Sequence, residues 1–188
     1  RIRWLWASHV VHHSSERLNL STAFRQSLTY PISGMWVFWL PLALVGFHPK
    51  QVLLIVAVNL AYQFFVLTEA VRRLGPLERI LNTPSHHRVH HARNRAYLDR
   101  NFGGVLIIWD KLFGTFTPEN EANPPEYGIH RQIHTNNVLT MIFHEWRNML
   151  ADALRPGPLW LRLKHLWAPP EWQRPEQLAA MELQHAKR

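Results

Sequence analysis

Two apolar runs with a four-residue turn between them set the tightest limit on what this chain can fold into. Residues 32–47 and residues 52–67 carry no charged side chain, and His48-Pro49-Lys50-Gln51 separates them. Both runs are apolar all round rather than along one stripe, the pattern of a helix bathed in an apolar medium. Each falls a little short of the roughly 20 residues a helical membrane span needs. Tyr30 and Pro31 on one side and Thr68 on the other extend them. A turn this short makes the pair antiparallel, so the reading is a transmembrane hairpin. Pro41 is expected to kink its first leg, which membrane helices tolerate. A buried hairpin in a soluble α-protein is the alternative.

The flanks orient the hairpin. Arg17, Arg25, Arg72, Arg73 and Arg79 lie beyond its two ends, whereas the turn carries only Lys50. Positive charge collects on the cytoplasmic side, so both hairpin ends are placed there. The net charge of +8 and the nine tryptophans fit anionic headgroups near long apolar stretches rather than nucleic acid. Trp4 and Trp6 beside Arg1 and Arg3 read as an interfacial anchor. Cysteine is absent, which removes disulfides, thiolate chemistry and cysteine-based zinc sites.

Just outside each end of the hairpin lies a histidine box of the same spacing: His9-x-x-His12-His13 and His87-x-x-His90-His91, with His86 immediately before the second. On a helix, positions i, i+3 and i+4 share one face. Each box is therefore expected to aim three imidazoles at one point. Neutral imidazole binds iron, zinc and copper, and six nitrogens from two facing helices suit a metal pair better than a single ion. Glu16 is a candidate for orienting an imidazole from behind. His130, His134, His144, His165 and His185 lack ligand spacing and are read as surface residues.

The rest of the chain organises around these features. Residues 69–74 read as a short amphipathic helix ended by Gly75-Pro76. Thr83 and Pro84 read as N-cap and first helical residue of a helix carrying the second box. Gly103 and Gly104 allow close backbone approach. Residues 117–137 read as loop, and Val138 to Leu154 as a helix before a proline-broken tail. Residues 1–137 are taken as one domain and residues 138–188 as a helical, basic C-terminal extension. The chain opens on Arg1 without an initiator methionine, so it is expected to be a fragment or a processed product.

Three stretches resemble the fatty acid hydroxylase/sterol desaturase superfamily, most of all its alkylglycerol monooxygenase branch. They are His9-Val-Val-His-His-Ser-Ser-Glu-Arg-Leu-Asn-Leu, Asn82-Thr-Pro-Ser-His-His-Arg-Val-His-His and Asn101-Phe-Gly-Gly-Val-Leu-Ile-Ile-Trp-Asp-Lys-Leu-Phe-Gly-Thr-Phe. The resemblance covers roughly residues 4–130. It implies an all-α integral membrane protein, here a fragment, with a transmembrane hairpin and a cytoplasmic helical cap. It implies a di-iron centre ligated by His9, His12, His13, His87, His90 and His91, with His86 as an extra candidate and Glu16 and Glu69 behind them. The implied activity is O2-dependent hydroxylation, monooxygenation or desaturation of a lipid. Tetrahydrobiopterin or an electron-transfer partner would supply electrons, with no role for nucleic acid. The implied location is the bacterial inner membrane or the endoplasmic reticulum. Two departures bear on activity. The superfamily's upstream HxxxH pair is not in this sequence, and Leu67 stands where members usually carry histidine. Residues 1–188 alone are therefore expected to be inactive as an oxygenase. A non-catalytic lipid-binding relative and a zinc-dependent membrane hydrolase are the rival readings.

Overall fold

A computed structural model describes residues 2–176. Within them the chain is helical, with no strand and only isolated bridges such as Leu81 to Leu106 and Ala92 to Tyr127. The helices are α1 (Arg3–His13), α2 (Tyr30–Ser33), α3 (Leu40–Leu44), α4 (Pro49–Val66), α5 (Pro84–His91), α6 (Ile108–Leu112), α7 (Val138–Leu154) and α8 (Leu159–Trp167).

α4 is the one helix among the described residues long and apolar enough to cross a membrane. Its start is set by Pro49 at the first helical position and by His48, whose Nδ1 accepts the Lys50 N–H while Gln51 returns the bond to the His48 N–H. Val66 is its only buried residue. The first leg of the expected hairpin is not one helix. Gly34 takes a left-handed conformation (φ 75°) and ends α2, a 3-10 segment follows at Met35–Trp39, and Pro41 lies in the first turn of α3. Pro41 thus starts a helix instead of kinking one, because its missing N–H costs nothing in a first turn.

α1 packs along α7 and α8. Ala7 meets Trp146 and Met149, with Trp4 and Leu166 against the cluster. The Trp4 and Trp146 rings meet edge to face at 4.7 Å, a geometry worth about 0.5–1.5 kcal/mol beyond burial. Arg3 is buried and pairs with Glu145 at 2.7 Å and Asp152 at 2.9 Å, and its N–H bonds the Ala168 carbonyl. The expected interfacial anchor is therefore wrong. Arg3 is buried, Trp4 is partly buried against the core cluster, Trp6 packs on histidines, and Arg1 lies outside the described residues. α1 carries acid-matched charge at its start and apolar bulk along one side, and α7 supplies the complement to both.

Thr83 and Pro84 open α5 as expected, but the Thr83 hydroxyl turns away from the helix to Glu78. Residues 69–74 are not helical. Their carbonyls are claimed by Arg88 of α5, which takes those of Val71 and Arg72 along with that of Thr68 just before them. Of the three, a helix over 69–74 would itself use the Thr68 carbonyl, while those of Val71 and Arg72 would fall in its last turn, where Pro76 offers no N–H. Gly104 lies against α4, where a Cβ would come within 2.9 Å of Gln63 Nε2. α7 spans the residues expected of it.

Candidate metal centre

α1 and α5 bring the two histidine boxes face to face, but the boxes interleave. One trio of imidazoles is His9, His13 and His90, and the other is His12, His87 and His91. Within each trio the donor nitrogens all lie within 4.8 Å of one another. The expectation that each box aims at its own point is thus corrected, since each trio draws on both helices. Spacing along one helix fixes which imidazoles share a face. It says nothing of how that face docks on its partner. The trios touch where the His13 and His91 rings stack, with centroids 4.3 Å apart. His86 belongs to neither trio; its ring meets Phe116 edge-on.

The nitrogens are arranged as ligands are. His9 and His13 face each other Nε2 to Nε2 at 3.0 Å, and His87 and His91 do so at 3.1 Å. His12 Nδ1 donates to the Thr22 carbonyl and His90 Nδ1 to the Arg100 carbonyl, each at 3.2 Å. A carbonyl accepts only, so both bonds put the proton on Nδ1 and leave a lone pair on Nε2. His87 Nδ1, on the side of the ring away from His91, is buried without a partner, as is Nδ1 of His86, an arrangement that costs about 1–3 kcal/mol each.

Burial is the main force on their protonation. It pulls His9 down to about 3 and His12 to about 4, with the positive charge of neighbouring imidazoles adding to it. His13, His87 and His91 are held well below the ordinary value for the same two reasons, and His90 is lowered by burial. All six are neutral near pH 7, the state in which imidazole binds a metal. The donor set therefore fits a pair of imidazole-loving cations.

Around α5 lies a buried polar scaffold that the spacing of histidines did not reveal. Arg88 spends all five guanidinium N–H groups. Two go to the Glu119 carboxylate, at 2.8 and 2.7 Å, and three to the carbonyls of Thr68, Val71 and Arg72. Burial alone would raise the Glu119 carboxyl, but the bonds from Arg88 and Ser85 and the charge of Arg88 bring it below its usual value. Asn101, in the left-handed region at φ 52°, bonds the carbonyls of His86 and Thr117 and accepts the Thr117 N–H. Asn82 holds Gly103 and Val105, and its own carbonyl accepts the Tyr62 hydroxyl of α4. An arginine inside a histidine box and an asparagine before two glycines were the available signals.

The two carboxylates expected behind the imidazoles are elsewhere. Glu69 accepts the Leu18 N–H. Glu16 is exposed and lines a polar pocket with Arg25, Gln132 and His134. Of the histidines read as surface residues, His130 and His134 are exposed, whereas His144 and His165 are buried. His165 sits between Arg3 and Arg174, and His185 lies outside the described residues.

A profile of the fatty acid hydroxylase family matches residues 1–115. The alkylglycerol monooxygenase of Danio rerio is 46% identical over 168 residues, covering 89% of this chain and 37% of that protein. That of Homo sapiens is 54% identical over 141 residues, 74% of this chain and 31% of that protein. The ornithine lipid hydroxylase of Rhizobium tropici is 35% identical over 125 residues, 66% of this chain and 38% of that protein. The chain spans about a third of the length of these curated relatives. No solved structure matches it significantly.

Proposed function

Because this chain belongs to the fatty acid hydroxylase family, we propose that its interleaved trios hold two iron ions and that it forms the catalytic part of an O2-dependent lipid hydroxylase. The observation that carries the reading is the set of six neutral imidazoles, three to a trio, each trio built from both α1 and α5. Iron held there would supply O2 activation for oxidising a C–H bond of the lipid. The substrate is an alkyl or acyl lipid, in keeping with the alkylglycerol and ornithine-lipid names of the relatives.

The chain's own residues do the positioning. His12 and His90 are oriented through Nδ1 by backbone carbonyls, so their Nε2 lone pairs are fixed before any metal arrives. Trp6 lies against the rings of His9 and His13 and keeps water from one side of that trio. His9 and His90 are partly exposed whereas His13, His87 and His91 are buried. The trio containing His9 and His90 is therefore the open one, where a lipid chain reaches the centre. α4 and the apolar stretch before it form the membrane hairpin, with the boxes on the cytoplasmic side, as the flanking arginines direct. Electrons come from a donor outside the chain, a reduced pterin or a redox protein.

The test is metal analysis of the purified protein combined with O2 uptake in the presence of reductant and an alkylglycerol or acyl lipid. The reading expects iron in the trios and hydroxylated lipid matched to O2 consumed. Zinc in place of iron, with lipid hydrolysed and no O2 taken up, would establish the hydrolase instead. Lipid binding with neither metal nor turnover would point to a non-catalytic relative.

A further inference from the structure

Helix α6 is amphipathic in reverse. Asp110 points inward at 2% exposure and Ile107 before it is fully buried, while Trp109, Leu112 and Phe113 are 52%, 69% and 74% exposed. The inward carboxylate is satisfied: it accepts the N–H groups of Phe102 and Gly103 and the Thr115 hydroxyl. The polar side of the helix is thus paired inside, and the apolar side is left without a protein partner among the described residues. Leu77 and Ile80 are also exposed, on the segment whose Ile80 carbonyl accepts the Ile107 N–H.

Three observations say what covers this face. The first is continuity with α4. The backbone at Gly104 sits against Asn59 and Gln63, and Tyr62 bonds the Asn82 carbonyl. The platform that carries α6 is therefore fastened to the last two turns of the membrane-length helix. The second is charge. Arg79 and Lys111 are exposed beside the apolar residues, and Lys111 Nζ is bent back onto the carbonyls of Glu78 and Arg79 and lies 5.0 Å over the Phe116 ring. Cations rimming an apolar face complement anionic headgroups. The third is residue type: tryptophan is enriched at the membrane surface, and tryptophan, phenylalanine and leucine beside lysine are the mix of an interfacial helix.

We propose that α6, with Leu77 and Ile80, is an interfacial docking surface seated in the headgroup layer of an anionic leaflet. It goes beyond the proposed chemistry and shares with it only the membrane residence of α4. Its seating reaches the metal centre through the loop that Asp110 holds. Asp110 holds the Phe102 N–H, and the Phe102 ring lies 6.0 Å from that of His90 in the open trio. The depth of α6 in the leaflet thus sets the height of the centre above it.

The chain has no cysteine, so a single introduced cysteine carries a fluorophore at one place. Leu112→Cys and Phe113→Cys are labelled separately in the metal-loaded chain and placed in phosphatidylcholine–phosphatidylglycerol nanodiscs. Ile55→Cys on α4 marks the bilayer interior, and Glu121→Cys marks water. The α6 labels should shift to the blue and lose most of their emission to a quencher carried on the upper acyl chain, while iodide leaves them bright. Quenching by iodide would overturn the proposal by showing the face open to water. Protection from both quenchers would overturn it by showing a covering protein surface, from a second copy or another segment. An equal response in pure phosphatidylcholine discs would overturn the claim for anionic headgroups. If the Ile55 label responds to lipid and the α6 labels do not, this inference fails while the membrane reading of α4 stands.

Discussion

The two helices that carry the histidines are held in opposite ways. α1 is packed. Its Ala7 lets α7 close in with Trp146 and Met149, and Trp4 and Leu166 complete the cluster. α5 is tied. Its eight residues include four histidines and an arginine, and its one aliphatic side chain in the buried core, Val89, clusters with Ala92 and Tyr97. A helix this short has little stability of its own and too little apolar surface to be fixed by packing. Directional bonds from Arg88, Asn101 and Asn82 take over. Packing fixes a helix by volume and gives a little when the volume changes. A saturated hydrogen-bond network fixes it by direction and fails when one member is removed.

The largest effect should strike both helices at once. All six imidazoles are depressed in the folded protein, so the unfolded chain binds more protons below the ordinary histidine value. Stability then falls with falling pH. The metal-free protein should be fully stable above about pH 6.5 and lose stability steeply toward the value of about 4 for His12. Denaturant unfolding across that range checks it. A flat profile would mean that the imidazoles are open to water and that the two boxes do not meet.

Next in size is the tied side. Arg88→Ala strands Glu119 and three carbonyls, and should cost about 3–5 kcal/mol. Arg88→Lys should recover little of it, because an ammonium cannot replace a five-donor fork. Full recovery by lysine in a thermal melt would show that charge alone ties α5. On the packed side, Met149→Ala should cost about 2–4 kcal/mol through the cavity it leaves. Since both trios draw on α1, it should also weaken both metals to a similar degree. Loss of one metal only would break the interleaved arrangement.

The smallest effect is expected from Leu67→His. Leu67 is buried at the end of α4, next to the Thr68 carbonyl that Arg88 holds. The substitution should lower the melting temperature of the metal-free protein slightly, because a polar ring enters an apolar place. It should raise metal affinity if the position faces the centre. Calorimetric titration of iron(II) into both proteins measures the difference, and unchanged affinity would leave Leu67 as packing.

What could be read from the sequence was local. The box spacing, the Thr83-Pro84 helix start, α7 and the second apolar run each depend on neighbours within a turn or two. That the two boxes face each other followed from their places beside the hairpin ends, but their interleaving did not show, because His9 with His90 and His12 with His87 are joined by a packing angle that no spacing encodes. Arg3 was misplaced for a similar reason. Beside two tryptophans it looks interfacial, and only Glu145 and Asp152, more than a hundred residues on, bury it. Residues 69–74 were misread because their helical pattern is genuine but Gly75-Pro76 cuts it off after six residues, too short to stand alone, and Arg88 takes the Thr68 carbonyl that its first turn would use.

The central claim is that each metal is held by both helices. Metal content per chain in two double variants tests it directly. His9→Ala with His90→Ala removes donors from one trio on different helices. His9→Ala with His12→Ala removes donors from one helix in different trios. The account predicts that the first keeps about one metal ion per chain, because both changes act on the same site, and that the second keeps clearly less. The opposite order, with the His9→Ala, His12→Ala protein retaining one ion and the His9→Ala, His90→Ala protein losing both, would mean that each box binds its own metal and would contradict the account.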